Sequence, residues 1–560
     1  MGLLDPTPPP YDVATWRDLP LPEKARLVCQ AWAIQGYGTP PSAYVFYLLK
    51  IGLYVGAWLG FCSLSPSLGA PAELGRWWLE PLAFQKAILW SLAFEIAGLG
   101  CGSGPLTGRY FPPLGGFLYF LRPGTTKLPL FEGAPLVGGR RRGLLDVGLY
   151  GALLVALVWA LTRPRLDPSH FYPIAVLVPL LGVLDKTLFL AARAEHYWVT
   201  VMCFALLPSW IAGAKAVQLA LWFWAGVSKL NHHFPTVVGV MTSNGPFTRI
   251  AALRKAMYRA YPDDLRPSRL ATVMGHVGTA LELGVPMVLV AGSGGTVTTV
   301  GLVLMVVLHV YITSHVPMGV PLEWNVMVVY GGFFLCGAQA KVSLSQVLEP
   351  VTAVTLAMAA LLVTTTVILP LVGNLAPRLV SFLLAMRYYA GNWAYSVWLF
   401  RDASYRKLDT GLVKTSPWIH DQLAKFYDPD TAEGLFGKVI AFRLMHLHGR
   451  ALQKLLPHAI GDASDYYWVD GEIVAGLALG YNFGEGHLHS EQLLRSIQAQ
   501  CGFEEGELRC IFVESQALGG STLHARVHDA KAGLLHEAEI SVAELRELTP
   551  WPTAPGPTAD

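Results

Sequence analysis

The chain has 560 residues, 53% hydrophobic and only 14% charged, against a soluble norm of about 25% charged, which excludes an ordinary soluble protein. A formal net charge of +2 excludes a nucleic-acid partner held by phosphate neutralisation. Seven cysteines, odd in number and without CxxC spacing, read as free thiols in a reducing compartment or in lipid.

Several apolar runs exceed the ~18 residues that suggest a membrane span. The expected fold is therefore an all-α polytopic membrane bundle of about 8–10 transmembrane helices, followed by a C-terminal α+β soluble domain. Residues 1–41 form an N-terminal arm with Arg17, Asp18, Glu23, Lys24 and Arg26 but no apolar core of a signal peptide. Spans are expected over 42–64, 84–101, 144–162, 171–192, 197–212, 214–230, 270–291, 296–316, 322–338 and 351–372. Between the second and third lies a Gly/Pro-rich loop whose apolar patch, 117–121, is too short to cross; it suits a re-entrant or interfacial segment. The loop's glycines do not make a nucleotide site, because no strand precedes them and no GK[ST] closes them.

With ten helices, the basic clusters near residues 17–26, 109–142, 249–269 and beyond 378 fall on one side. The positive-inside rule then places both termini in the cytoplasm, as in a bacterial inner membrane protein. That count depends on the short 197–212 segment crossing. The transmembrane domain extends over 42–403. A soluble composition follows over 404–549, with a helix at 432–455, alternating runs at 470–482, 508–516, 522–529 and 534–542, a hairpin turn at 529–533 and a serine-capped helix at 490–500. Residues 550–560 read as a disordered tail.

Ionisable side chains inside the spans are Lys50, Glu95, Asp185, Lys186, Lys215, Lys229, His276, Glu282 and His309. Each is costly in lipid and is expected to face the bundle interior, as a packing pair or as a proton-handling group. The stretch LWFWAGVSKLNHHFP concentrates the question. Lys215, Gln218, Trp222, Gly226 and Lys229 recur every three or four residues, which puts both lysines on one helical stripe ~21 Å apart. A desolvating environment beside Trp222 and Trp224 would make Lys229 a usable base. A lysine at a helix end can equally snorkel and meet the helix dipole.

Two motifs sharpen the reading. LDKTLFLAARAEHYW, with Asp185, Lys186 and His196, and AGVSKLN, with Lys229, resemble the membrane domain of vitamin K-dependent γ-glutamyl carboxylase and its bacterial relatives, the horizontally transferred transmembrane superfamily, over about residues 144–330. Ala225, Gly226, Lys229 and Leu230 match, Asn231 stands where that family has Asp or Asn, and Ser228 replaces a second lysine of the carboxylase. Asp185, Lys186 and Thr187 match, but the family's histidine position holds Ala192. His196 lies one turn later on the same face, displaced by ~6 Å. HVGTALELGVP (His276, Glu282) and HVYITSHVPMGVPLEWNV (His309, His315, Glu323) are similar to later helices of that superfamily.

The resemblance implies a carboxylase/epoxidase-like enzyme. Lys229 would be the general base, with Asp185, His196, Glu282 and His309 as further catalytic candidates. Trp222, Trp224 and Lys215 would surround a reduced quinone of menaquinone or vitamin K type, and the substrate would be a lipid or a peptide. The alternative is a non-enzymatic transporter or scaffold whose buried ions form a path or packing pairs. A closer similarity covers nearly the whole chain. FQKAILWSLAFEIAGLGCGSGPL, RYFPPLG, SKLNHHFP, PMGVPLEWN and NFGEGHLHSEQLL look like an uncharacterised bacterial transmembrane family, domain of unknown function 3556. In the soluble part, His446-Leu-His448 and His487-Leu-His489 lack a zinc-site spacing. They are expected to be surface histidines and a capping turn, with no metal.

Overall fold

The computed structural model describes residues 4–100, 108, 116–245, 250–315, 322–388, 390–461 and 465–552. Most of the Gly/Pro-rich loop, Arg249, the PMGVP segment and the end of the tail lie outside the described residues.

The N-terminal arm forms α1 (Leu21–Gln35), with a proline in its first turn, where a missing N–H leaves nothing unpaired. It ends at Gly36 (φ 59°), where a Cβ would sit 2.6 Å from the Asn244 Cα, so only glycine permits that close approach. The bundle follows as α2 (Pro41–Ser63), α3 (Pro81–Ile96), α4 (Leu144–Leu161), α5 (Tyr172–Leu184), α6 (Trp210–Val227), α7 (Phe234–Asn244), α8 (Arg269–Ala291), α9 (Gly295–Ser314), α10 (Leu322–Gly331) and α11 (Ala353–Leu375). A short antiparallel pair, β1 (Tyr258–Ala260) and β2 (Asp264–Pro267), separates α7 from α8.

Five of these helices, α2, α4, α8, α9 and α11, are long and apolar enough to cross a bilayer. At ~1.5 Å per residue, the 23 residues of α2 reach ~35 Å, and its Leu48, Leu49 and Leu53 are largely exposed, as lipid-facing side chains would be. Of the ten expected spans, five meet that measure among the described residues, and Pro168–Leu184 and Leu322–Ala338 are shorter apolar helices. Helix α3 has 16 residues, nearly all buried, and is a core helix enclosed by others. The expected 171–192 span breaks at Asp185, whose extended backbone and side chain cap the next short helix through Thr187 N at 3.0 Å. The 197–212 segment breaks too: its helix, Val199–Leu206, stops at Leu207 (ψ 126°). Pro208 follows, and the residue before a proline is pushed out of the helical region. Even with the π-helical turn Ala194–Trp198 that leads into it, the helix reaches only ~20 Å, short of the ~30 Å hydrocarbon core. The placing of both termini on one side rests on that segment crossing.

The 117–121 patch is half covered, with Phe117 43% exposed. Tyr119 and Phe120 are buried, and the Tyr119 hydroxyl donates to the Ala478 carbonyl at 3.1 Å, beneath the C-terminal domain. That domain is a five-stranded antiparallel sheet of spatial order β4-β3-β5-β6-β7, made of β3 (Tyr395–Arg401), β4 (Tyr466–Asp470), β5 (Leu508–Val513), β6 (Thr522–Asp529) and β7 (Gly533–Ser541). It carries the helices α12 (Pro429–Met445), α13 (Gly471–Leu479) and α14 (Glu491–Cys501). β6 and β7 fall where alternation placed them, joined by a turn in which Asp529 accepts from Lys531 N and Ala532 N. The run expected over 470–482 is instead a helix after its first residue, because Asp470 accepts from Glu472 N at 2.9 Å and starts α13. Strand β3 precedes residue 404 and pairs on both sides, with β4 and β5. The Ser490 side chain does not cap α14; its hydroxyl donates to the His487 carbonyl at 2.9 Å.

A single apolar core runs from Trp32 through Phe84, Trp222 and Trp324 to Trp398 and Val527. The sheet domain is therefore packed onto the bundle and is not a tethered globule. The N-terminal arm joins it: Trp32 packs on Phe442, and Arg17 pairs with Asp430 at 2.9 Å.

Candidate functional site

Two helices make the site. α6 and α8 cross where a Cβ on Gly226 would stand 2.9 Å from Leu283 Cδ2 and 3.1 Å from its backbone nitrogen, so the small residue sets how closely they approach. One turn on, Lys229 follows the last helical residues of α6, its own N–H bonded to the Gly226 carbonyl at 3.1 Å. Glu282 precedes Leu283 on α8. The crossing brings these two side chains together across 53 residues of sequence: Lys229 Nζ donates to Glu282 Oε2, and also to the Ala225 carbonyl at 3.1 Å. The ammonium lies 5.3 Å from the Phe234 ring centroid, and Lys229 is only 7% exposed. It does not snorkel into solvent.

The pair lines an apolar chamber of about 340 Å³. Trp222, Phe234, His309, Trp324, Asn325 and Tyr388 also face it. His309 is held from both ring nitrogens. Trp222 donates from Nε1 to His309 Nε2 at 2.9 Å, which leaves the proton on Nδ1 to be donated to Asn325 Oδ1 at 2.8 Å. The mouth lies between α8 and α9, where Val277 is 54% exposed and Val273 and Val307 are similarly open. Both helices are long and apolar enough to be candidate spans.

The other sequence candidates fall elsewhere. Asp185 is buried and accepts from Arg142 Nε and Nη2 (3.0 and 2.5 Å), Leu128 N (3.2 Å) and Thr187 N (3.0 Å). That is the full complement of a structural carboxylate, and it does not line the chamber. His196 is buried behind the chamber, stacked on Tyr197 and edge-on to Trp324, which does line it. Of the catalytic candidates, the one bonded to Lys229 is Glu282, not Asp185 or His196. Trp224 points toward α11, donating to the Thr366 carbonyl at 2.7 Å. Lys215, near the start of α6, donates to the carbonyls of Gln339 (2.8 Å) and Val342 (2.7 Å).

Sequence reasoning missed Trp324, Asn325 and Tyr388. Trp324 and Asn325 lie in the quoted LEWN motif, and Tyr388 follows the last span with nothing local to mark it. Tyr388 donates to Glu195 Oε1 at 2.9 Å, linking the chamber wall to a buried network in which Arg193 pairs with Glu95 at 3.2 Å. Lys50 and Glu323 form a further buried pair at 2.8 Å.

The C-terminal histidines are not surface groups. His446, His448 and His489 are buried, and His489 Nδ1 lies 2.7 Å from Ser396 Oγ. Burial pushes the His489 imidazole down to about 4. Half-buried His487 lies 3.0 Å from Glu514 and 3.3 Å from Glu485. Burial opposes its charge, yet the two carboxylates win and raise it to about 10. Among the described residues, no group of three or more His, Cys, Asp or Glu side chains could hold a metal ion.

The family model described as "Transmembrane protein of unknown function (DUF3556)" matches residues 1–559, and the chain belongs to that family. No curated protein and no solved structure matches the chain.

Proposed function

Within a transmembrane family whose function is unknown, we propose that this chain is an integral-membrane enzyme of carboxylase/epoxidase-like type, in which Lys229 and Glu282 together move a proton on a substrate in the apolar chamber. The observation that carries the reading is a buried, mutually bonded amine and carboxylate on the wall of an apolar chamber between two candidate spans. Lys229 acts as a base only after passing its own proton to Glu282. That exchange converts an ion pair into a neutral amine and a neutral acid without changing the net charge, so the low dielectric does not penalise it as it would an isolated ionisation. The Ala225 carbonyl and the Phe234 ring hold the nitrogen in place while it does so. His309, fixed by Trp222 and Asn325, presents an oriented imidazole on the same wall. Asp185 and Lys215 have no part in this scheme; both serve packing.

The chamber suits the reduced quinone that the carboxylase resemblance implies: aromatic walls for a ring, a mouth between two candidate spans for a tail, a polar pair for a hydroxyl, and a volume within the ~300–1,000 Å³ of ligand pockets. Such a quinol supplies an ionisable hydroxyl and two electrons. We place the protein in a bacterial cytoplasmic membrane, where the substrate would be a lipid or a peptide.

The test is to supply the purified protein with reduced menaquinone and oxygen and follow quinone epoxide, formed with one water per oxygen consumed. Epoxide is expected from wild type and not from Lys229→Met. Equal, negligible amounts from both would end the proposal.

A further inference from the structure

A second cavity, of about 320 Å³, shares Lys229 and Phe234 with the apolar chamber. Its character is opposite. Arg259 of the β1–β2 segment, Arg450 and Arg546 of the C-terminal domain, and His232 and His276 all line it, and no described carboxylate does. Asp264 and Glu547 both pair with Arg266, at 2.7 and 3.2 Å, and Asp264 is close enough to act also on Arg259 and Arg450 without bonding either.

Arg450 is the informative member. Its exposure is 0%, and Nη1 donates to the carbonyls of Leu545 (3.1 Å) and Leu548 (2.8 Å). Nε and Nη2 have no partner among the described residues. A buried guanidinium with two idle donors is expensive unless an anion fills them. Planar guanidinium forks match the oxygens of a phosphate, and three of them around one cavity give both the charge and the geometry.

We infer that this cavity binds the phosphate of a phosphate-headed membrane amphiphile whose first carbons lie against Lys229 and Phe234, leaving the apolar chamber to the quinone. Lys229 and Phe234 line both cavities, so the carbon next to the head group lies against the Lys229 side chain. This names the substrate class of the proposed enzyme, and rests on that reading only for what happens after binding.

Binding of dodecyl phosphate to the full-length protein in dodecyl maltoside, measured by calorimetry beside dodecanol and inorganic phosphate, decides the matter. Dodecyl phosphate is expected to bind tightest, and Arg450→Gln to weaken it tenfold or more, since a charge-assisted bond is worth about 1.5–3 kcal/mol. Because Arg450 also ties down two carbonyls, the double variant Arg259→Gln/Arg546→Gln, at two exposed positions, is the second arm, with the same expected loss. Dodecanol binding equally well, or unchanged affinity in the double variant, would overturn the inference. Inorganic phosphate binding as tightly as dodecyl phosphate would overturn its lipid half, leaving free phosphate as the ligand. No reaction is read, so absence of quinone chemistry would leave this result standing.

Discussion

The Lys229–Glu282 pair makes the sharpest demand. Held at a typical charge-assisted separation of about 2.8 Å, the two charges attract by about 6 kcal/mol at an effective dielectric of about 20. Desolvation consumes most of this, so the net worth of the pair is small. Breaking it is another matter. Glu282→Gln leaves an ammonium 7% exposed with neutral acceptors and the Phe234 ring but no counter-charge. Lys229→Met leaves a buried carboxylate with no cation. Each single variant is expected to lose about 3–5 kcal/mol, while Lys229→Met/Glu282→Met, which removes both charges, should stay within about 1–2 kcal/mol of wild type. The double-mutant cycle should therefore show a coupling of several kcal/mol, measured by SDS titration of the protein in dodecyl maltoside micelles with circular dichroism as the readout. Single variants that each cost under about 1 kcal/mol with additive effects would show that the two groups do not act as one buried pair, and the proton-exchange scheme would lose its basis.

Further outcomes follow from the same geometry. Gly226→Val should lower the melting temperature through about 1–3 kcal/mol of overpacking against Leu283, and should abolish Lys229-dependent chemistry because α6 and α8 can no longer approach. Asp185→Asn should cost about 3–5 kcal/mol by leaving the Arg142 guanidinium buried without its carboxylate. An unchanged unfolding midpoint with lost activity would instead give Asp185 a chemical role. His487→Gln should show a pH signature. The His487 charge is favoured in the folded state up to about 10, from an ordinary 6.5, so its stabilisation is complete below 6.5 and is lost as pH rises toward 10. Glu514 is held down near 2, from 4.5; burial opposes this and His487 outweighs it, so its share is present above 4.5 and is lost as pH falls toward 2. The difference between wild type and His487→Gln should therefore peak between pH 4.5 and 6.5, by thermal unfolding at fixed salt. A flat profile would refute the ion triad.

Local sequence was informative where local physics decides. The spans α2, α4, α8, α9 and α11 were legible because twenty or so apolar residues in a row admit one reading in lipid. β6 and β7 were legible because one face alternates with the other. Lys229, Glu282 and His309 were each singled out because a charge or imidazole in an apolar run is conspicuous. What failed was any inference that needed neighbours. α3 and α6 look like spans because an apolar helix buried in protein and one buried in lipid have the same composition. Residues 471–479 look like a strand until the Asp470 cap is seen to start a helix.

The sequence by itself determined that the chain must live in a membrane, that a domain of helices and strands follows, and which ionisable groups would be hard to bury. The tertiary structure alone decided who answers whom. It paired Lys229 with Glu282 and not with Asp185 or His196, gave Arg142 to Asp185, and brought Tyr388 and Arg450 from beyond the spans to the two cavities. The reason is that pairing depends on where two helices cross, and a crossing is set by side-chain packing between segments distant in the chain. No short-range pattern records that distance.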